Sequence, residues 1–182
     1  MKFLVAIALL AGCRAQLGSP SVDDDTKLDG GRDSGSGTMI DAPPPDGTSY
    51  VASCMAAGYT TTSATTSLYR VAAAGKTWVN AEAECAADVT GATHLVVLSS
   101  QAEVDYVKAT RLGWVGLSDR ATEGTFVNVT AEPNDVRPFA SGQPDNGGGN
   151  ENCVQLKAGG LDDDQCNSSH AFLCECDGRP AL

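Results

Sequence analysis

The segments QPDNGGGNENC at residues 143–153 and LDDDQC at residues 161–166 decide the interpretation of this chain. Both place carboxylates and amides beside cysteines, so two separate loops present hard oxygen atoms near points that disulfides can fix. Ca²⁺ binds roughly six to eight such oxygens and tolerates irregular geometry, so loops can supply its ligands. The spacing therefore indicates a calcium site. The alternative is an acidic, turn-rich loop that holds no ion.

Further motifs occur in a fixed order with these two segments. Trp114-Val115-Gly116-Leu117 forms an apolar run, Cys85 lies within a helical pattern, and Cys153, Cys166 and Cys174 follow. Together the motifs resemble the C-type lectin domain family, which has a Trp-Ile-Gly-Leu strand and cysteines in corresponding places. The resemblance extends over roughly residues 50–176. It implies an α+β, C-type-lectin-like fold with two helices, small antiparallel sheets and a long calcium-binding loop.

The resemblance also implies a ligand set for the ion. The expected calcium ligands are Gln143, Asp145, Glu151, Asp162 and Asp163. All of these except Asp163 are also expected to contact a sugar, because family members bind two vicinal hydroxyls at the ion. In such proteins the central proline, here Pro144, follows a cis peptide bond that turns the oxygens of its neighbours toward one ion. Cis bonds are rare outside X-Pro, which gives the proline a physical role.

The sequence departs from the family motif in places that affect specificity. Leu161-Asp162-Asp163 stands where the family has Trp-Asn-Asp, so a carboxylate replaces an amide and one hydrogen-bond donor is lost. Gln143-Pro144-Asp145 matches members that tend to bind galactose-like sugars, which implies a galactose-type preference. Against this, Asn146 precedes three glycines rather than a Trp on which the sugar could stack.

A second ion is less well supported by the sequence. Asp119 and Glu123 resemble ligands of an auxiliary calcium site in some family members. However, Asn146 and Asn152 stand where acids would be expected. Since fewer charged ligands weaken calcium binding, solvated surface acids are the favoured interpretation of Asp119 and Glu123.

The cysteines indicate an oxidising compartment. The chain has seven, and the segment Leu10-Ala11-Gly12-Cys13 after a short apolar run resembles a bacterial lipobox. Residues 1–12 are therefore predicted to be a lipoprotein signal peptide and Cys13 to be lipidated. The alternative is an ordinary signal peptide cleaved beyond Cys13. Because Arg14 follows, the resemblance favours the outer membrane or cell surface of a bacterial envelope, with membrane contact through the lipid alone.

Setting Cys13 aside leaves an even number of cysteines, which suits three disulfides in an oxidising compartment. The family resemblance implies the bridges Cys85–Cys174 and Cys153–Cys166. These two pairings leave Cys54 and Cys176 for each other.

The remaining sequence divides into a tether and a domain. Residues 13–49 are rich in Gly, Ser, Asp and Pro and have few large apolar residues, so a disordered tether is predicted. Residues 50–178 are predicted to form the domain. Its first helix follows Thr77, with Trp78, Cys85 and Val89 on one face. Its second begins at the capping box of Ser100 to Glu103. Predicted strands are His94–Leu98, Trp114–Leu117, Thr125–Val129, Cys153–Lys157 and Ala171–Glu175.

Charge and residue content limit the function. The net charge of −11 argues against a nucleic-acid partner, because phosphate binding needs clusters of Lys and Arg. No Gly-x-Ser-x-Gly elbow is present, and the two histidines, His94 and His170, lie in strand-like apolar runs, so structural roles are expected rather than catalysis. The predicted function is calcium-dependent carbohydrate binding. The alternative is a protein-binding or adhesion module that keeps the fold without sugar recognition.

Overall fold

The computed structural model describes residues 49–131 and 136–182, which contain three α-helices: α1 at Ser49–Ala56, α2 at Trp78–Asp88 and α3 at Gln101–Thr110. None of the helices in these ranges is long and apolar enough to cross a membrane. The predicted signal peptide, Cys13 and the tether up to residue 48 lie outside the described residues. The sequence predicts α2 and α3 but not α1, whose apolar residues show no helical period strong enough to stand out from the adjoining segment.

The first sheet brings the two ends of the domain together. Its strands are β1 at Thr60–Thr61, β2 at Leu68–Val71, β3 at Thr93–Leu95 and β8 at Leu173–Cys176. They lie in the order β1-β2-β8-β3, and each neighbouring pair is antiparallel. The last strand of the domain therefore pairs with β2 and β3, which both precede α3 in the sequence.

The second sheet carries the long loop. Its strands are β4 at Gly113–Ser118, β5 at Val127–Asn128, β6 at Cys153–Lys157 and β7 at Gly160–Asp164. The order is β5-β4-β6-β7, again antiparallel throughout. Between β5 and β6 lies the long loop, which contains a short 3₁₀ turn at Gly147–Gly149.

The predicted strands exist but with different limits. The predicted strand at His94–Leu98 is observed at Thr93–Leu95, and the one at Thr125–Val129 shortens to Val127–Asn128. Strands β1, β2 and β7 are not predicted. The reason is clearest for β7, since its sequence GLDDD is rich in Asp, which strands generally disfavour. It becomes a strand because a tight turn pairs it with β6 along its whole length.

Within the described residues, the core consists of two apolar clusters, and both sheets contribute to each of them. Side chains alternate along β4, so Trp114 enters one cluster and Val115 the other. The first cluster contains Trp78 and Cys85 of α2 with Phe172, and all are at least 95 % buried. The second is aliphatic and includes Leu117, Val154, Leu156, Leu161 and Leu173. Burial of these side chains is the main stabilising contribution to the fold.

Three disulfides join the helices and loops to the sheets. Cys54–Cys176 ties α1 to β8, and Cys85–Cys174 ties α2 to the same strand. Cys153–Cys166 joins the start of β6 to the segment after β7. These are the same three pairs that the sequence predicts. Together with the two sheets and the helices, they give the predicted disulfide-stabilised α+β fold, with α1 as an addition.

The helix starts follow the predicted signals only in part. Ser100 caps α3, since its Oγ accepts a hydrogen bond from the N–H of Glu103. The Glu103 carboxylate does not complete the box at Ser100 but accepts from the N–H and Oγ of Ser99. Thr77 occupies the cap position of α2, yet its side chain makes no capping hydrogen bond.

One glycine allows the two sheets to approach closely. Gly113 has φ +142°, and a Cβ at this position would lie 1.9 Å from the carbonyl oxygen of Ala171. The N–H of Trp114 donates to that same carbonyl at 2.9 Å. A side chain at position 113 would therefore force β4 away from the segment that precedes β8.

Candidate functional site

The site loop, residues 138–152, is fixed to the edge of β7. The N–H of Ala140 donates to the carbonyl of Leu161, and the N–H of Leu161 donates to the carbonyl of Pro138, both at 2.8 Å. Phe139 packs against the aliphatic cluster. The Gln143–Pro144 peptide bond is cis, as the resemblance implies. The first residues of the site loop are therefore fixed to β7 before the chain reaches Gln143.

Three carboxylates from separate positions converge beside this loop. Asp145, Glu151 and Asp163 each offer an oxygen, and these oxygens all lie within 4.8 Å of one another. We call these residues the carboxylate cluster. Asp163 is 3 % exposed. Its Oδ1 accepts from the N–H of Asp145 at 3.0 Å, and its Oδ2 accepts from the N–H of Asn146 at 2.8 Å.

The turn at Asn146 and Gly147 holds the third carboxylate. Asn146 adopts a left-handed conformation with φ 45°, and its Oδ1 accepts from the N–H of Glu151 at 3.1 Å. The N–H of Gly147 donates to Oε2 of Glu151 at 2.6 Å. A Cβ on Gly147 would lie 2.8 Å from that oxygen. The glycine thus leaves room for the carboxylate, a role that the sequence alone did not assign to it.

The electrostatics of the cluster favour a bound cation. Desolvation raises the pKa of Glu151, the N–H of Gly147 opposes that change, and the charges of Asp163 and Asp145 raise the pKa further. Like charges at this distance disfavour the ionised forms. Each carboxylate oxygen that accepts one N–H retains a lone pair for a second partner. The cluster can therefore gain a cation without giving up the hydrogen bonds that position it.

Gln143 contributes a fourth oxygen in the same loop. Its side-chain Oε1 is buried and has no hydrogen-bond partner among the residues that the structure describes. Buried polar atoms are normally satisfied, so such an atom suggests a missing partner. An all-oxygen set of carboxylates and an amide carbonyl is what Ca²⁺ prefers. The residues present therefore fit a hard divalent cation.

Asp162 is not brought into the cluster. Adjacent residues of a strand face opposite sides of a sheet, and Asp162 lies on the side opposite Asp163. Its Oδ2 accepts from Nζ of Lys157 at 2.6 Å and from Nε2 of Gln155 at 3.1 Å. Of the five expected ligands, three therefore meet, Gln143 lies in the same loop, and Asp162 is engaged elsewhere.

A second polar group on that opposite face is not predicted from the sequence. Asp164 accepts from Gln155 at 3.0 Å and contacts Nε2 of His170 at 2.6 Å. Burial alone would raise the pKa of Asp164, but the hydrogen bonds from His170 and the N–H of Gln165 outweigh it and lower the pKa. The His170 ring also meets Trp114 edge-on at 4.4 Å. No local signal marks this contact, since its residues come from three segments.

The auxiliary positions do not form a second cluster. Asp119 is 2 % exposed, so the expectation of a solvated surface acid is wrong for this residue, and its Oδ2 accepts from the N–H of Gly124 at 2.8 Å. Its Oδ1 and the Oδ1 of Asn152 are buried without partners among the described residues. Glu123, in contrast, is exposed. Within the described ranges, neither acid belongs to a converging group of three metal-ligating side chains.

His94 lies in a buried charged group with Glu175 and Asp177. Its Nε2 meets Asp177 at 3.0 Å, and its Nδ1 meets the carbonyl of Leu95 at 3.0 Å. Glu175 accepts from the N–H of Val97. Burial lowers the pKa of His94, but Asp177 and the charge of Glu175 outweigh it and raise the pKa to about 9. The group links β3 to β8 and is structural in character.

Comparison with known proteins agrees with this architecture. Residues 74–176 match the family described as the lectin C-type domain. The chain is 32% identical over 128 residues to echinoidin from Heliocidaris crassispina, covering 59% of this chain and 87% of echinoidin. The chain therefore belongs to the C-type lectin domain family, whose members are typically carbohydrate-binding and not enzymes.

Solved structures support the same fold. The carbohydrate-recognition domain of the human scavenger receptor C-type lectin superposes with a TM-score of 0.58 at 25% identity, covering 65% of this chain and 95% of that chain. A calcium-independent type II antifreeze protein also gives 0.58, at 28% identity over 69% of this chain and 93% of its own. The fold thus occurs with and without calcium, and the question of function rests on the site.

Proposed function

We propose that this domain binds carbohydrate in a calcium-dependent manner through the carboxylate cluster. The observation that supports this function best is the convergence of Asp145, Glu151 and Asp163 within 4.8 Å. Gln143, with its unpartnered buried oxygen, is the fourth proposed ligand. Calcium bound there would neutralise the cluster and offer coordination positions to the hydroxyl oxygens of a sugar.

The chain's own contribution is to position the ligands in advance. The N–H groups of Asp145 and Asn146 fix both oxygens of Asp163, and the N–H of Gly147 fixes one oxygen of Glu151. Ligands held by backbone hydrogen bonds lose less conformational freedom when an ion binds. The remaining oxygens of Asp145 and Glu151 are then the proposed acceptors for sugar hydroxyls, and the amide NH₂ of Gln143 is the proposed donor.

A galactose-type preference is part of the proposal. Gln143-Pro144-Asp145 supports it by family resemblance. Leu161, which stands where the family has Trp, is 0% exposed and packs in the aliphatic cluster. Without a stacking ring near Asn146, we expect millimolar monovalent affinity, about −4 kcal/mol. Useful affinity would come from many copies on one surface.

Anchoring completes the proposed function. Cys13 after a short apolar run supports a lipid-anchored protein of the bacterial envelope, presented at the outer membrane or cell surface. Several acyl chains hold a protein far more firmly than one. A Cys13→Ser protein should leave the membrane fraction, and one that remains there would count against the anchor.

A protein-binding or adhesion function without sugar recognition is the second candidate. It is favoured by the position of Asp162, which lies outside the carboxylate cluster although the family motif would place it there. The fold also supports a calcium-independent antifreeze protein. Under this alternative, the domain would bind its partner equally well in calcium and in EDTA.

Calorimetry and a glycan array separate the two candidates. Galactose and mannose are titrated into the purified protein in calcium and in EDTA, and the same two buffers are used on the array. We expect galactose-type binding in calcium alone. Asp145→Asn should abolish it, whereas Asp105→Asn, which removes an exposed charge on α3, should not. Equal binding in both buffers, or none, would refute the proposal.

Calcium should also stabilise the fold. A ligand that binds only the native state contributes about 4 kcal/mol at a thousandfold excess over its dissociation constant. Thermal unfolding in millimolar calcium should therefore occur well above unfolding in EDTA. An identical melting temperature in both would argue against the ion.

A further inference from the structure

Two adjacent aspartates of β7 have different environments. Asp163 pairs across the ladder with Val154, on the face that carries the aliphatic cluster, and its carboxylate joins the carboxylate cluster. Asp162 pairs with Gln155 on the other face. Because side chains alternate along a strand, the Asp162 carboxylate would have to turn around the edge of β7 and leave its partners on the other face to reach the cluster.

Asp162 is also held in its present position by specific partners. Lys157 lies five residues earlier, on the same face, with its Nζ 2.6 Å from Asp162 Oδ2. Gln155 bridges Asp162 and Asp164, and Asp164 contacts His170. We call this set the outer polar row: Lys157, Asp162, Gln155, Asp164 and His170.

The exposure of these groups explains why the pair persists. The side chain of Asp162 is 13% exposed, whereas that of Lys157 is 55% exposed. A half-exposed lysine can lay its stem along the surface and bring its ammonium to a carboxylate that is largely withdrawn from water, which it neutralises. If Asp162 left the row, Gln155 would lose one of its two acceptors, and Gln155 is itself 6% exposed.

We propose that Lys157 and Gln155 retain Asp162 in the outer polar row, so that the calcium site of this protein excludes Asp162 and depends on three carboxylates. The inference rests on the proposed function and changes its ligand set. Asp162 then acts as a structural residue of the β6–β7 ladder. Gln143, Asp145 and Glu151 then make the sugar contacts. Asp162, which the family motif assigns to the sugar, makes no sugar contact.

Calcium titration calorimetry of single substitutions tests this ligand set. Asp163→Asn should weaken calcium binding by roughly a hundredfold or more. Loss of a residue that only supports a metal ligand costs up to about a hundredfold, and Asp163 is itself a proposed ligand. Asp162→Asn should weaken it less than about fivefold, the effect of one screened charge. Asp164→Asn is the matched control, since it removes the same charge from the same face and strand.

The outcomes separate this inference from the proposed function. If wild type binds calcium but Asp162→Asn loses as much affinity as Asp163→Asn, while Asp164→Asn does not, the inference is overturned and the calcium site stands. If wild type binds no calcium, both are overturned. At saturating calcium, unchanged galactose affinity in Asp162→Asn would support the exclusion, and a loss of more than about tenfold, which is 1.4 kcal/mol, would oppose it.

The ion pair has an independent readout in unfolding experiments. In EDTA, Lys157→Gln and Asp162→Asn should each lower the free energy of unfolding, and the double variant should lose less than the sum of the two. Additive losses would mean that the two side chains do not interact, which would overturn the proposed role of Lys157.

Discussion

The first sheet and the site loop are held in opposite ways. In the first sheet, β8 lies between β2 and β3 and receives two disulfides, and its Leu173, Cys174 and Cys176 side chains are buried in the apolar core. In the site loop, carboxylates accept backbone N–H groups, and much of the loop is exposed. The first arrangement stabilises the domain without a bound ion. The second leaves concentrated negative charge, and we expect it to depend on a cation.

This difference implies that stability and binding can be altered separately. Changes near β8 should destabilise the domain without changing the affinity of the folded protein for calcium. Changes in the loop should alter affinity at little cost in stability without calcium. The predictions below test that separation.

The largest effect is expected where the two sheets meet. Gly113→Ala should prevent folding or cost several kcal/mol, because the new Cβ would lie 1.9 Å from a backbone oxygen at φ +142°. Gly159→Ala is the control, since its Cβ would meet only the Cβ of Ala140 at 3.9 Å. Circular dichroism and soluble yield provide the measurement. A Gly113→Ala protein with wild-type stability would contradict the packing described here.

The disulfide whose loss costs more stability should be the one whose loss costs less calcium affinity. Opening Cys85–Cys174, which closes 89 residues, should cost about 4.6 kcal/mol by chain entropy, compared with about 2.9 kcal/mol for the 13 residues of Cys153–Cys166. Calcium affinity should change in the opposite order, because Cys153 adjoins the site loop. Double alanine variants measured by denaturant unfolding and calorimetry test both. Parallel changes in stability and affinity would remove the proposed separation.

Alkaline pH should weaken the first sheet. The pKa of His94 is raised from 6.5 to about 9, because the effects of Asp177 and Glu175 outweigh burial. Protonated His94 therefore stabilises the fold. This stabilisation is complete below pH 6.5 and is lost as pH rises toward 9. Its size is roughly 3 kcal/mol. His94→Gln should reduce the slope of unfolding free energy over that range. A flat wild-type profile there would show that His94 is not charged in the fold.

The smallest effect is expected at Gly147, whose N–H donates to the Glu151 carboxylate. Gly147→Ala should lower calcium affinity roughly tenfold, which is about 1.4 kcal/mol. The reason is that its Cβ would lie 2.8 Å from the Glu151 oxygen and displace that ligand. Stability in EDTA should change little, and Gly159→Ala should change neither quantity. Equal affinities for the two alanine variants would mean that Gly147 does not position Glu151.

The sequence predicts the framework well because its signals are local or strongly constrained. An apolar run such as Trp114–Leu117 indicates a buried strand. Two of the bridges are those that the family resemblance implies, and the third joins the two cysteines that remain. Strand β7 is missed because its aspartates oppose the propensity that marks strands. Its existence depends on pairing with β6, which is a tertiary effect.

The site is predicted less completely for a related reason. Asp145 and Glu151 belong to one motif and do meet, but the resemblance gives both Asp162 and Asp163 as calcium ligands. The two-residue period of a strand separates them, and this period becomes a signal only after β7 is recognised as a strand. The contact of Asp164 with His170 had no signal, since it depends on how the chain returns after β7.

Backbone amide NMR observes the carboxylate cluster itself. Calcium and then galactose are titrated into ¹⁵N-labelled protein. We expect the amides of Asp145, Asn146 and Gly147, which donate to the carboxylate cluster, to shift with calcium and again with sugar. The amide of Gly124, which donates to Asp119, should stay in place. Shifts centred on Gly124, or none in the site loop, would contradict a calcium-dependent sugar site at the carboxylate cluster.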